Sequence, residues 1–386
     1  MQAITQPVKP EAAVSLPARF VAICWPFVGL VCVAAAIGVG LLYSVAGGSM
    51  EPWALVHAQR FALALAALII AAMIDVRLWM RIAYPFYGVT LLALVGVELA
   101  GLAGGGAQRW IGFVGLHLQP SEFMKLALVL GLARYYQKID SRFVSRPASL
   151  LIPVAIIAIP TLLVLRQPDL GTAILLITTG AVMLFAAGVN WLYFAGAMIA
   201  AIAATPFVWQ ALHGYQRERV LAFIDPERDP LGAGYHIIQS KIALGSGGFF
   251  GKGYTMGTQS QLNFVPEKHT DFIFAMAGEE FGFVGALAIL ALFGLLIALG
   301  TVMAIGVKNR FGRLASLGVT AMLFQYVFVN AAMVTGLVPV VGVPLPLVSY
   351  GGSAMVSLMI GFGILLGAHV DRERIIPRPL SGSRRF

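Results

Sequence analysis

The sequence predicts an all-α integral membrane protein of about ten transmembrane helices, with a long extracytoplasmic loop between helices 7 and 8. Composition and charge pattern carry that expectation. Apolar residues fill 59% of 386 positions and charged residues only 11%, against about 25% charged in a soluble globular domain. Basic residues gather on alternate short connections, as cytoplasmic loops do. The formal charge of +9 therefore follows membrane topology and does not call for nucleic acid.

A helix needs about 20 apolar residues to cross the hydrocarbon. That rule places spans near 20–44, 60–75, 82–104, 119–136, 149–165, 170–188, 190–212, 271–306, 313–338 and 346–369. The first is longer than a signal-peptide core and lacks a convincing cleavage site, so it is expected to be retained. The fourth is weakly apolar. Cys24 and Cys32 lie together in the first span, eight positions apart on one helix, too far to bridge.

Arg77 and Arg81 follow the second span, Arg134, Lys138, Arg142 and Arg146 the fourth, and Lys308, Arg310 and Arg313 the eighth. Lys9 and Arg19, and the tail residues Arg372, Arg374, Arg378, Arg384 and Arg385, share their side. The positive-inside rule then puts both termini in the cytoplasm. The organisation expected is an amino-terminal arm over 1–18, one membrane domain over 19–370 with 213–270 as its large outer loop, and a basic tail over 371–386. Within the loop, 232–244 has apolar residues at helical spacing beside Lys241, the pattern of an amphipathic helix in the membrane interface.

Four polar motifs break the apolar background. Phe264-Val-Pro-Glu-Lys-His-Thr-Asp-Phe-Ile-Phe274 runs a charged cluster into an apolar span, with Asp271 at the boundary. Carboxylates at that depth are costly, so they are capped or functional. Gln119-Pro-Ser-Glu-Phe-Met-Lys125 starts the fourth helix, where Pro120 suits the first turn. Glu122 and Lys125 share a face there, either as an internal ion pair or as the lining of a polar cavity. Arg109 reaches the same level and suits a phosphate or an acidic partner. In Arg166-Gln-Pro-Asp-Leu-Gly171, Asp169 reads as the cap of the sixth helix. Val338 to Ser353 is apolar yet broken by prolines and glycines, and non-helical backbone at such depth must be buried in protein or line a cavity.

Other features weigh less. Gly245-Ser-Gly-Gly-Phe-Phe-Gly-Lys-Gly253 fails the phosphate-loop pattern in spacing and in its last residue. It suits tight turns first, and a glycine nest beside Lys252 for a diphosphate second. Glu279 and Glu280 would lie about 12 Å deeper than Asp271 on a continuous helix, with Lys125 as candidate partner. His269 and Asp271 alone make no metal site.

These motifs, with Gln167 to Thr172 and Pro344 to Ser353, stand in the order found in the SEDS proteins (shape, elongation, division and sporulation), and the chain resembles that family over nearly its whole length. The stretches Ala233 to Lys241 and Gly257 to Leu262 resemble its elongation branch. The resemblance implies a peptidoglycan glycosyltransferase of ten helices in the bacterial cytoplasmic (inner) membrane, its site facing the periplasm. It would polymerise lipid II onto a growing lipid-linked glycan. The implied partners are a class B penicillin-binding protein, a transpeptidase of the penicillin-binding protein 2 type, and the elongation machinery. The family's essential carboxylate falls on Asp271, the expected general base, with Arg109, Glu122, Lys125, Lys252 and His269 as substrate-binding candidates. No cofactor is certain; a divalent cation, Mg or Mn, at the lipid diphosphate is the one candidate. A lipid II flippase and a non-catalytic scaffold for a penicillin-binding protein are the alternatives the residues leave open.

Overall fold

The computed structural model describes residues 15–374 except 101, 105–106, 114–115, 168, 212–213, 229–233, 263 and 266; the side chains of 109 and of several other helix and strand positions are outside that description. A short helix α1 (Leu16–Val21) leads into α2 (Trp25–Val45), α3 (Ala54–Met73) and α4 (Val76–Ala100). Three antiparallel strands follow, β1 (Leu102–Gly104), β2 (Ala107–Phe113) and β3 (Leu116–Leu118), with β2 in the middle. The chain continues through α5 (Pro120–Lys138), α6 (Pro147–Arg166), α7 (Leu170–Ala187) and α8 (Trp191–Ala211). Between α8 and the last three helices lie α9 (Gly214–Ile224), α10 (Tyr235–Ser246) and α11 (Thr258–Gln261). The bundle ends with α12 (Ile273–Ile305), α13 (Arg310–Val334) and α14 (Gly352–Val370).

The nearly all-helical architecture matches the expected fold class, with differences in detail. Among the described residues, eight helices (α2, α3, α4, α6, α7, α12, α13 and α14) are long and apolar enough to cross a membrane, and α8 adds a shorter apolar stretch, Trp191–Phe207. The weakly apolar α5 is the centre of the bundle: α4, α6, α7, α13 and α14 pack around it, and nearly all of it is buried. It meets protein on all sides, so it needs no lipid-facing stripe. The span expected at 20–44 is two helices, because Pro26 starts a new first turn in α2. The expected span 82–104 begins earlier and stops at Ala100, where the unforeseen strands take over. The last helix starts at Gly352 and not at 346, since the prolines at 344 and 346 cannot donate into a helix. The 232–244 helix forms as α10, and it packs on α12 and α13, Ser240 donating to the Val334 carbonyl at 2.8 Å.

The long helix α12 is broken. Gly282 sits at φ 66°, ψ −164°, a region open to glycine. The glycine-rich turn of the 213–270 loop is spliced into the gap. The amides of Lys252 and Gly253 donate to the carbonyls of Glu279 and Glu280 at 3.0 Å each, and those of Phe283 and Val284 donate to Gly248 and Phe249 at 3.0 and 3.2 Å. The stretch forms the tight turn that its sequence suits first, and the Lys252 and Gly253 amides, which the nest reading gives to an anion, satisfy a helix break. Glu279 and Glu280 therefore lie in the last turn before the discontinuity.

At the far end of the bundle, Arg19 of α1 pairs with Asp371 beyond α14 at 2.8 and 3.1 Å and donates to the Ile74 carbonyl at 3.1 Å. Arg374 bridges Asp371 (3.4 Å) and Asp75 (2.6 Å). This buried network ties both ends of the described chain to the α3–α4 turn.

A Cβ at Gly282 would meet the Phe249 carbonyl oxygen at 2.6 Å in a backbone conformation L-residues avoid. Gly282→Ala is expected to cost about 2 kcal/mol or more, read as a lower midpoint of thermal unfolding in detergent. Gly294→Ala, in the same helix with nothing within 4 Å of the added carbon, should be neutral or gain up to about 1 kcal/mol.

Candidate active site

Two irregular segments, the first turns of α5 and α7, the body of α13 and strand β2 meet around a cavity of about 230 Å³. The turn before α12 contributes Glu267, Thr270 and Asp271; the non-helical stretch after α13 contributes Gly342, Val343, Pro344, Tyr350 and Gly351. The first turns of α5 and α7 add Glu122, Lys125, Asp169 and Thr172, α13 adds Tyr326, and the hairpin adds Trp110.

The α5 wall is ionic. Pro120 opens the helix, the amide of Gln119 donates to Ser353 Oγ at 3.1 Å, and the three-residue spacing brings Lys125 Nζ to 2.7 Å from Glu122 Oε1. The Tyr326 hydroxyl donates to Glu122 Oε2, and its ring lies 4.4 Å under the Lys125 ammonium. All three side chains are buried. The ion-pair and cavity-lining readings of this motif are therefore both met: a carboxylate and an ammonium hold each other at a cavity wall. Asp169 caps α7 as expected, accepting from the Thr172 amide at 3.1 Å and its hydroxyl at 2.9 Å, and it lines the cavity as well.

Asp271 lies across from this wall. Its backbone carbonyl accepts from Asn330 Nδ2 at 2.8 Å, and a Cβ on Gly342 would stand 3.3 Å from its Oδ2. The non-helical 342–351 stretch is held by side chains: His57 Nε2 bonds the Leu347 carbonyl at 2.9 Å and Ser349 Oγ accepts from the Leu345 amide at 2.8 Å. As the sequence implied, this irregular backbone lines a cavity.

The structure brings Asp271, Glu122 and Lys125 together and sets the other candidates elsewhere. Lys252 pairs with Glu279 at 2.6 Å and donates to Thr258 at 2.8 Å. This corrects the expectation that Lys125 would partner Glu279 or Glu280; Glu280 accepts from Ser44. His269 stacks on Trp53 with ring centres 4.5 Å apart, and Tyr350 is 5.9 Å away on a tilt. Burial pushes the His269 imidazole below its usual range, with Glu267 opposing and Lys268 assisting. Arg109 lies on β2 beside Trp110, its side chain outside the described residues. Tyr326 and Asn330 escape a sequence reading, because a polar group inside an apolar span looks like ordinary core until its partner is known.

Beside the cavity, and sharing Asp169 and Leu175 with it, runs an apolar groove of about 550 Å³ between α7 and α13, lined by Ile174, Val182, Phe324, Phe328, Val338 and Val340 among others.

Lys125→Met leaves Glu122 buried without its cation, an expected cost of about 3–5 kcal/mol. The double change with Glu122→Gln should cost clearly less, and a cycle of melts in detergent showing simple additivity would sink the pairing. For His269 the unfolded imidazole titrates near about 6.5. Its folded value is lower, so the unfolded state binds more protons and stability falls as pH drops from there through the folded value. His269→Gln should flatten that acid limb in melts taken between about pH 5 and 7.5.

A family model described as a cell cycle protein family, that of FtsW, RodA and SpoVE, matches residues 17–374. The peptidoglycan glycosyltransferase MrdB of Escherichia coli K12 is 48% identical over 319 residues, 82% of this chain and 85% of the relative. Stage V sporulation protein E of Bacillus subtilis is 37% identical over 277 residues, 72% of this chain and 75% of the relative. A chain from a peptidoglycan synthase complex, whose structure is described as coordinating polymerization and crosslinking, superposes with TM-score 0.77 at 35% identity, covering 91% of this chain and 99% of its own. The rod shape determining protein RodA of Thermus thermophilus superposes with TM-score 0.67 at 29% identity, over 92% and 99%. With a family model spanning nearly the whole chain, and with the motifs gathered at one cavity, the chain belongs to the FtsW, RodA and SpoVE family, the SEDS proteins.

Proposed function

We propose that this chain is a peptidoglycan glycosyltransferase that polymerises lipid II into glycan strands during cell elongation, with Asp271 as general base. One observation carries the reading: the Asp271 carboxylate and the buried Lys125 ammonium line one polar cavity that adjoins an apolar groove. A lipid-linked sugar diphosphate has those three requirements.

The acceptor sugar's 4-hydroxyl attacks the anomeric carbon of the donor, the carbon–oxygen bond to the diphosphate breaks, and undecaprenyl diphosphate departs. A hydroxyl is a poor nucleophile, so a positioned carboxylate that takes its proton is worth about 10²–10⁴ in rate. Lys125 supports the departing negative charge, held in place by Glu122 and Tyr326. Arg109, next to the cavity-lining Trp110, is a second cation for it. Lys252 ties the loop before α12 to that helix through Glu279, and His269 stacks on Trp53 beside the turn that carries Asp271. The groove between α7 and α13 takes the polyprenyl tail. A Mg or Mn ion at the diphosphate would draw on substrate oxygens, since among the described residues no three His, Cys, Asp or Glu side chains form a metal-holding group.

By likeness to the synthase complex, the partner is a class B penicillin-binding protein. The basic connections lie at the end of the bundle away from the cavity, which supports cytoplasmic termini and a site on the periplasmic side of the inner membrane.

Purified Asp271→Asn should lose at least about 100-fold in polymerisation of lipid II while melting like the parent. Normal glycan synthesis by the folded variant would overturn the assignment.

A further inference from the structure

Asn330 is wholly buried on α13, one helical turn past Tyr326. Its Nδ2 donates to two backbone carbonyls, Asp271 at 2.8 Å and Val343 at 2.7 Å. Both acceptors are carbonyls, so the amide orientation is fixed: only the NH₂ end can face them. Its Oδ1 has no protein partner among the described residues, so these two bonds account for the side chain's polar contacts there.

The two carbonyls belong to separate irregular segments that both line the cavity. One carries the Asp271 carboxylate. The other includes Gly342, against which that carboxylate lies. One turn earlier on the same helix, Tyr326 holds Glu122 and underlies Lys125. The helix α13 thus contacts both walls of the cavity with side chains four residues apart. Of the side chains of this size, the carboxamide alone puts two donors on one atom. Serine offers one, and ionised aspartate offers none and repels both carbonyls.

We infer that Asn330 is a positioning residue for the glycosyl transfer: it sets the Asp271 backbone and the 342–344 wall at a fixed distance from Glu122 and Lys125. The inference rests on Asp271 being the base. Asn330 touches no substrate, so its removal displaces the base without removing a binding contact. Misplacement of a reacting group by about 1 Å costs on the order of 10²-fold.

The test uses the full-length protein in nanodiscs with lipid II as substrate. It compares Asn330→Ala, Asn330→Asp, Asn330→Ser, Asp271→Asn and the Asn330→Ala/Asp271→Asn double variant. The expected result is a fall in kcat of about 10–100-fold for Asn330→Ala, a larger one for Asn330→Asp and a smaller one for Asn330→Ser, which keeps one donor. KM should stay within about 3-fold, because uniform binding is untouched. In the Asp271→Asn background the added Asn330→Ala should lower the residual rate no further. Should Asn330→Asp fail to fold, Asn330→Ser carries the test. An inactive Asp271→Asn beside fully active Asn330 variants overturns the positioning role and leaves the base intact. A parallel loss in KM, or independent losses in the double variant, also overturns it, since a general packing defect behaves that way. An active Asp271→Asn overturns the base reading itself, and this inference with it.

Discussion

A chain that leaves the helix inside an apolar bundle must pair every peptide group it frees, and the cavity exists because this chain does so at several places at once. Where α12 breaks at Gly282, the outer loop supplies the missing donors and acceptors from 248–253. Where α13 ends and α14 has not begun, His57, Ser349 and Asn330 bond the backbone of 343–349. Irregular backbone gathers polar side chains to satisfy it, and polar side chains keep a cavity hospitable to a sugar diphosphate. The site and the departures from helix are one physical feature.

The same economy governs charge. Ions in a low-dielectric interior are costly unless paired and hydrogen-bonded. Glu122, Lys125 and Tyr326 form one closed group; Lys252 and Glu279 form another, extended by Thr258 Oγ1 and the Gln259 amide at 3.0 and 3.1 Å from the carboxylate. The first faces the cavity and the second locks the outer loop to α12. The buried ion pairs stand at the two ends of the bundle, an arrangement that suits chemistry at one face better than the continuous polar path a flippase would require.

The spans were legible because a bilayer imposes a length, and the motifs because carboxylates and prolines are conspicuous in apolar surroundings. Asp271, Glu122, Lys125 and the cap at Asp169 could be read for that reason. What could not be read depends on the sign of a dihedral or on a distant partner. A glycine within a helix is usually tolerated in ordinary helical geometry, so the break at Gly282 left no mark. Lys252 finds Glu279 27 residues away. Tyr326 and Asn330 fit an apolar helical stripe well enough to pass as core. The strands at 102–118 are short and follow a long apolar helix, and a central helix such as α5 shows no amphipathic face because none of its faces meets lipid.

The network at the far end has a mechanical meaning. There Arg19, Asp371, Arg374 and Asp75 join α1, the α3–α4 turn and the segment after α14 by ion pairs, and breaking the buried Arg19–Asp371 pair costs about 3–5 kcal/mol. The irregular 342–351 wall of the cavity is held mainly by neutral hydrogen bonds, worth about 1 kcal/mol each. The base is therefore clamped by ion pairs, and at the cavity end the 342–351 wall is held more weakly than the α5 wall, which carries an ion pair of its own. Fluctuations are expected to concentrate along that wall, at the cavity end of the bundle, while the base stays closed.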